Sequence, residues 1–240
     1  MKLSIVIPAY NEAENIGQVV RQIEEALDFD FELIVVNDHS LDATSSIVRG
    51  LGRTYANLRL MDNRRPAGFA NALRSGFECA SGELVMPIMG DLCDDLSTVK
   101  RMLEKMEQGN DLVCASRYIK GGARLGGSKV KGFFSWFVGR SLCSMIGLPT
   151  HDIGNAFKMY RRKVIESIEI EAKGFEISME IALKAYFLGF RITEVPTVWK
   201  EREKGKSSFK MHRLFPDYSK FYIWAICKKI TGGTCRSCQS

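Results

Sequence analysis

Val85-Met86-Pro87-Ile88-Met89-Gly90-Asp91-Leu92 is an apolar run that a glycine releases into a single acid. Such a run reads as a buried strand delivering a carboxylate to one edge of a sheet. In open α/β sheets the ligand sits beyond the C-terminal ends of the strands. A carboxylate at that edge is well placed to hold a divalent metal bridging two phosphates.

On either side of this run, short apolar stretches alternate with helical patterns. Lys2–Pro8 reads as a strand, and Glu12–Leu27 as a helix with Ile16, Val19, Val20, Ile23, Ala26 and Leu27 on one face. Glu32–Val36 is a second strand, running into Asn37-Asp38-His39-Ser40, and Asp42 caps a helix ending near Gly52. Leu58–Met61, Glu83–Met89 and Leu112–Ala115 read as strands, with helices over Gly68–Cys79 and Leu96–Gln108 between them. This order predicts an α/β fold, a mainly parallel sheet with helices on both faces.

The second half differs. A glycine-rich loop carrying Arg124, Lys129 and Lys131 leads into an aromatic-rich helix, Lys131–Ile146. A strand near Ala156–Tyr160, a helix over Glu176–Leu188, a strand over Arg191–Trp199 and a final helix over Phe215–Ile230 follow. We expect one main domain over residues 1–212, followed by a basic, aromatic helix and tail over 213–240.

With 240 residues the chain is long enough for a full core, and 45% hydrophobic with 26% charged residues marks an ordinary globular protein. Seven cysteines are scattered, the first four in apolar segments, which points to reduced, mostly buried thiols and a cytosolic setting. Cys235-Arg236-Ser237-Cys238 is a C-x-x-C without a second pair and reads as a flexible tail rather than a zinc site. No signal peptide is expected, because Lys2–Pro8 is short and ends at a proline. Gly139 and Arg140 break the longest apolar stretch, well short of the roughly 20 residues of a membrane span. Membrane contact is therefore expected to be peripheral. From Lys200 onward ten Lys/Arg face three Asp/Glu, a net +7 that leaves the first 199 residues at −1. That end is either a solvated tail or the docking point of an anionic partner. Nucleic acid is disfavoured, since no binding motif accompanies the charge. A dinucleotide enzyme is disfavoured too, since no G-x-G-x-x-G follows the first strand.

Several motifs then occur in order. Val6-Ile7-Pro8-Ala9-Tyr10-Asn11-Glu12 puts an aromatic ring and a carboxylate at a strand end; Glu12 either accepts from a base or begins the helix. Asp38 suits a base N–H or a ribose hydroxyl. Together with Asp91 and Ala115-Ser116-Arg117-Tyr118, the series resembles family 2 glycosyltransferases of the GT-A fold. Within them it is most similar to the polyprenyl-phosphate group, which includes dolichyl-phosphate mannose synthases. The resemblance continues through Asp152-Ile153-Gly154-Asn155-Ala156-Phe157, Gly174-Phe175-Glu176 and Glu201-Arg202-Glu203-Lys204-Gly205-Lys206, from residue 2 to about 212.

The resemblance implies transfer, with inversion, of a hexose from GDP-mannose or a UDP-sugar to a polyprenyl phosphate, at the cytoplasmic face of a membrane or beside a membrane-anchored partner. It implies a nucleoside pocket of Pro8, Tyr10, Glu12, Val36 and Asp38, with Gly90 close to the diphosphate. Asp91 would ligate Mg²⁺ or Mn²⁺, and Arg117 would contact phosphate or the reacting centre. Arg202 would clamp the diphosphate. Ser208 stands where the family has a lysine, so Lys206 or Lys210 would replace it. Lys131 and Ser135 fall near the acceptor-phosphate positions. Met89 occupies the first acid position of the family's Asp-x-Asp, leaving Asp91 as its remaining half.

A phosphate acceptor is already anionic and needs no protein base; a hydroxyl acceptor would need one. Asp152, Asp94 and Asp95 are the candidates for that second reading, since His39, His151 and His212 read as structural or surface residues. A third reading is a weakly active nucleotide-sugar-binding subunit, supported by Met89 and Asn37 where acids are common. The aromatics Phe133, Phe134, Trp136 and Phe137, and later Tyr218, Phe221, Tyr222 and Trp224, form either core or a lipid-facing groove.

Overall fold

The apolar runs become the strands Leu3–Ala9 (β1), Phe31–Asn37 (β2), Leu58–Asp62 (β3), Leu84–Pro87 (β4) and Leu112–Ser116 (β5). Between them lie the helices Ile16–Ala26 (α1), Thr44–Leu51 (α2), Phe69–Cys79 (α3) and Thr98–Glu107 (α4). After β5 come Ala123–Leu125 (β6), the long helix Lys129–Ile146 (α5), Lys158–Arg161 (β7), Arg162–Glu166 (α6) and Ile177–Phe187 (α7). Ile192–Pro196 (β8), Val198–Lys200 (β9) and Met211–Ile230 (α8) complete the order. This computed structural model describes residues 1–91, 93–201 and 211–232, and the side chains of residues 211–214 lie outside the description.

Seven strands form one sheet in the order β3-β2-β1-β4-β7-β5-β8, and β6 pairs with β9 in a small ribbon. Every neighbouring pair in the sheet is parallel except those of β7, which runs against both β4 and β5. The expected α/β layering is present. The inverted strand has a simple cause: the loop before β7 arrives at the edge where β1, β2 and β5 end, so β7 enters from that edge.

Residues of β1 alternate between the two cores, as a strand covered on both faces must. Val6 packs with residues of α3, α5 and α7, whereas Leu3, Ile5 and Ile7 pack with α1 and α4. Helix α3 lies so close to the sheet that a Cβ on Gly76 would stand 2.2 Å from Val6 Cγ1. An alanine there would have to push helix and sheet apart.

Three expectations are corrected. Helix α1 starts at Ile16, not Glu12, because residues 13–15 form a turn and the segment before it is tied to the next loop: Thr44 Oγ1 accepts from Glu12 N and Asp42 from Ala13 N. The strand expected over Arg191–Trp199 divides after Pro196, and β9 leaves the sheet to pair with β6. Of the first four cysteines, Cys93 and Cys114 are buried, Cys143 is half-buried and Cys79 is exposed.

Candidate active site

The C-terminal ends of the parallel strands open into a cavity of about 1000 Å³. At one end stand Pro8 and Tyr10 from β1 and its loop, with Asp38 following β2. The Tyr10 ring is exposed, giving a flat face on which a base can stack. Asp38 is buried and fixed from both sides: Asn63 Nδ2 donates to one oxygen at 2.7 Å and Gly68 N to the other at 2.9 Å. Each oxygen keeps a further lone pair for a ligand N–H or hydroxyl. Glu12 lines the cavity and accepts from Asn15 Nδ2 at 3.0 Å, and it lies against Gly90. Its acid therefore faces the site and is not part of the first turn of α1.

Backbone strain holds this end together. Asn11 (φ 51°) and His39 (φ 61°) adopt left-handed conformations. Asn11 N donates to Ser40 Oγ, and Leu41 N donates to Asn11 Oδ1, so the loops after β1 and β2 interlock. Strain of this kind persists only where neighbours over-determine it, which is common at ligand sites. Val36 is a correction: its side chain is wholly buried in the core beneath Gly76 and does not line the nucleoside pocket. Asn37 is occupied structurally, its Nδ2 donating to Asp62 at 2.8 Å.

The middle of the cavity is acidic on one wall and cationic on the other. Met89, Asp91, Cys93 and Asp94 line the first. Asp94 is anchored by a bridge to Trp199 of β9, while Asp95 turns away to accept from Ser97 N at the start of α4. The two acids that the sequence presents as a pair thus separate. Burial, then the charge on Asp91, push the Asp94 carboxyl up to about 7, against the pull of Arg117 and a backbone N–H from Met89. Among the described residues no three His, Cys, Asp or Glu side chains form a metal cage. Two electrostatically coupled carboxylates do suit a hard cation that takes one or two protein oxygens and completes its shell with phosphate and water.

Arg117, which follows β5, supplies the cationic wall. Its Nε and Nη2 each donate to Asp152 at 2.7 Å, its backbone N donates to the same carboxylate at 3.0 Å, and Nη2 also donates to Ser135 Oγ at 3.2 Å. The Asp152 side chain is wholly buried. Burial opposes the charge of Arg117, but Asp152 outweighs it and holds the guanidinium firmly protonated. Asp152 is therefore committed to positioning Arg117, and the reading of Asp152 as a general base fails on geometry.

Behind the turn, Lys158 is completely buried and its ammonium donates to the carbonyls of Ile153 and Asn155, though burial pushes its pKa down. Helix α5 rests directly on the same turn, since a Cβ on Gly139 would stand 2.0 Å from His151 O.

Lys131 and Ser135 line the cavity one helical turn apart on α5. Beyond them Phe134, Phe137, Phe215, Tyr218 and Tyr222 form an apolar mouth between α5 and α8. Phe133, Phe134, Trp136 and Phe137 are exposed, with Phe133 contacting the other three rings. The stripe on α5 is thus a surface, not core, whereas Phe221 of α8 is buried.

The sequence reading overlooked Asn63 and Gly68, which orient Asp38, and Arg124, which lines the cavity and stacks over Trp199 at 5.0 Å. Asn63 lies just past β3, so the rule that ligands gather beyond strand ends could have found it. Arg202, Lys206 and Lys210 lie outside the described residues.

Residues 4–169 match the model of glycosyl transferase family 2. The chain belongs to that family. This family 2 member is 30% identical over 224 residues to the dolichol-phosphate mannosyltransferase of Pyrococcus furiosus, a match covering 90% of this chain and 61% of that protein. The chain therefore spans less than two thirds of that relative's length. It is 28% identical to the polyprenol monophosphomannose synthase of Mycolicibacterium smegmatis, over 92% of this chain and 86% of that one. In fold, it is similar to glucosyl-3-phosphoglycerate synthase from Mycobacterium tuberculosis, solved with Mn²⁺, UDP and glucosyl-3-phosphoglycerate. The TM-score there is 0.72 at 19% identity, covering 94% of this chain and 80% of that one. This family 2 chain thus has a mostly parallel, GT-A-like sheet.

Proposed function

We propose that the chain transfers a hexose from a nucleotide sugar to a polyprenyl phosphate, with inversion, at the surface of a membrane. One observation carries this reading. A single cavity joins a nucleoside-shaped end at Tyr10 and Asp38 to an apolar mouth between α5 and α8, with Arg117, Lys131 and Ser135 between them. That sequence of environments matches a sugar nucleotide meeting a phosphate on a hydrocarbon chain. The relatives in Pyrococcus furiosus and Mycolicibacterium smegmatis, named for transfer to lipid phosphates, support it.

The acceptor phosphate oxygen attacks C1 of the sugar as the bond to the nucleoside diphosphate breaks. The nucleophile arrives already charged, so no protein group has to take its proton. This suits a site whose Asp152 is bound up with Arg117. Arg117 stabilises the charge gathering on phosphate, and its fixed, partly buried position means little reorganisation accompanies that stabilisation. Tyr10 and Asp38 orient the nucleoside, and Lys131 and Ser135 receive the acceptor phosphate. Asp91, with Asp94 beside it, would hold Mg²⁺ or Mn²⁺, which when bound neutralises the leaving diphosphate.

Docking is peripheral and at the cytoplasmic face in this reading. Among the described residues no helix is long and apolar enough to cross a membrane. The exposed rings of α5, beside Lys129, Lys131 and Arg140, suit an anionic bilayer surface. Asp94 favours one second reading, a hydroxyl acceptor, because an acid with a pKa of about 7 inside the cavity is placed to act as a general base.

Transfer from radiolabelled GDP-mannose, UDP-glucose and UDP-N-acetylglucosamine to polyprenyl phosphate, with Mg²⁺, Mn²⁺ or EDTA, tests these assignments. Label in the lipid phase supports the proposal. Label only in a soluble glycan favours the hydroxyl acceptor, and nucleotide binding without turnover by any donor overturns both.

A further inference from the structure

Outside the cavity a thiol, an imidazole and a carboxylate stand in line. Cys143 Sγ of α5 lies 3.6 Å from His151 Nε2, and His151 Nδ1 lies 2.6 Å from Glu194 Oε1 on β8. None of the three lines the cavity. Glu194 is itself held in place, accepting from His151 N at 2.8 Å and Thr150 Oγ1 at 3.2 Å. An ionised carboxylate only accepts, so His151 carries its proton on Nδ1. The lone pair then sits on Nε2, and the Cys143 thiol is the donor to it. A nucleophile bonded to a base that is oriented by an acid is the arrangement that activates thiols for attack.

We propose that Cys143 is a reactive thiol, activated by His151 and Glu194, and a site of covalent modification by soft electrophiles and peroxides. In the step, the thiol proton passes to His151 Nε2 and the imidazolium is stabilised by Glu194, while sulfur attacks. With an alkyl halide a sulfur–carbon bond forms and halide leaves. With a hydroperoxide, sulfur attacks one oxygen and the O–O bond breaks. The leaving oxygen takes the proton, so sulfur is oxidised by two electrons to sulfenic acid and the peroxide is reduced to alcohol or water.

Access separates Cys143 from Cys93 and Cys114, while Cys227 is half-buried as well. Cys143 is half-buried, and the His151 side chain is 28% exposed, so a small reagent reaches the pair. Cys93 and Cys114 are buried, and burial pushes the Cys114 thiol up to about 11. Cys79 is more exposed than Cys143 and serves as an internal reference for plain accessibility.

The location gives the modification a consequence, which rests on the proposed function. Helix α5 touches the 150–152 turn at Gly139 and again, one turn later, at Cys143. An adduct on Cys143 has to displace the His151 ring, and Asp152, the next residue, holds Arg117.

The test is iodoacetamide alkylation of the native full chain at pH 7, with each cysteine followed by mass spectrometry. Cys143 should react at least tenfold faster than Cys79. His151→Gln and Glu194→Gln should each slow Cys143 about tenfold while leaving Cys79 unchanged, which also reports an intact fold. Equal rates at Cys143 and Cys79 in the unmodified protein would overturn the proposal without any need for the variants. Dimedone trapping after hydrogen peroxide should likewise label Cys143 first, and labelling elsewhere first would count against it. Transfer activity should fall in proportion to Cys143 labelling and resist the reagent in Cys143→Ser. Equal inactivation of Cys143→Ser would refute the coupling, whereas the labelling rates stand whether or not the transfer reading holds.

Discussion

Replacing Asp152 by asparagine removes the partner of Arg117 with almost no change in shape. The wild-type carboxylate, wholly buried, receives three N–H groups of Arg117 at 2.7, 2.7 and 3.0 Å. The Arg117 side chain is only 12% exposed, so water cannot take over. In the variant an amide NH₂ meets the guanidinium donors, and a buried charge loses its counter-charge. Breaking such a pair from one side costs about 3–5 kcal/mol. In a chain of this size each kcal/mol moves the melting point by about 2–4 °C, so the Tm should fall by about 6–20 °C.

The double variant Arg117→Met with Asp152→Leu removes both charges and should recover most of that loss, because the pair's attraction largely offsets its own desolvation. Transfer should stay abolished in it, since the cationic wall is gone. As a control, Arg65→Ala breaks an exposed pair with Glu78 and should cost under about 1 kcal/mol. Differential scanning fluorimetry and urea unfolding supply the stabilities. A Tm for Asp152→Asn within 2 °C of wild type, or a double variant melting no higher than the single one, would refute this account of the Arg117 cluster.

Four further outcomes follow from the same structure. Asp91→Ala should lower transfer at saturating donor by about 100-fold or more and abolish stabilisation by Mn²⁺ with nucleotide, both read on the purified chain. Asp94 is held above its unfolded pKa, so its contribution to stability is complete below pH 3.8 and disappears as pH rises through about 7. In metal-free buffer Asp94→Asn should therefore gain Tm relative to wild type between pH 4 and 8, and a constant difference would contradict it. Glu32 behaves oppositely: burial pushes it up, but hydrogen bonds from Ser4 and Ser81 and the charge of Arg59 bring it down to about 2. Its stabilisation, about 3 kcal/mol, is present above pH 4.5 and is lost as pH falls through 2, so Glu32→Gln should be less stable at pH 7 and converge with wild type in acid. Gly139→Ala should cost about 1–3 kcal/mol and lower turnover together, because the new Cβ would drive α5 off His151.

Much of the layering was legible in the chain. Runs such as Leu3–Ala9 and Phe31–Asn37 are apolar at nearly every position, which only a strand covered on both faces requires. The acids that follow β2 and β4, Asp38 and Asp91, accordingly met at one edge. The α5 aromatics were ambiguous because periodicity marks an apolar face without saying what covers it. Val36 misled because it lies only two residues before Asp38, yet it is still inside β2 and packs under α3 at Gly76, whereas Asp38 stands past the strand end at the cavity.

By itself, then, the sequence determined a mainly parallel sheet layered with helices, the acids Asp38 and Asp91 at strand ends, and the family to which the chain belongs. Those are properties of local hydrophobic pattern and of motif order. Only the tertiary structure decided that β7 runs backward between β4 and β5, that Asp152 is spent on Arg117, and that Asp94 and Asp95 part company. Each depends on which groups approach across 30 or more residues, or on which way a loop turns, and burial energy summed along one segment carries no record of its neighbours.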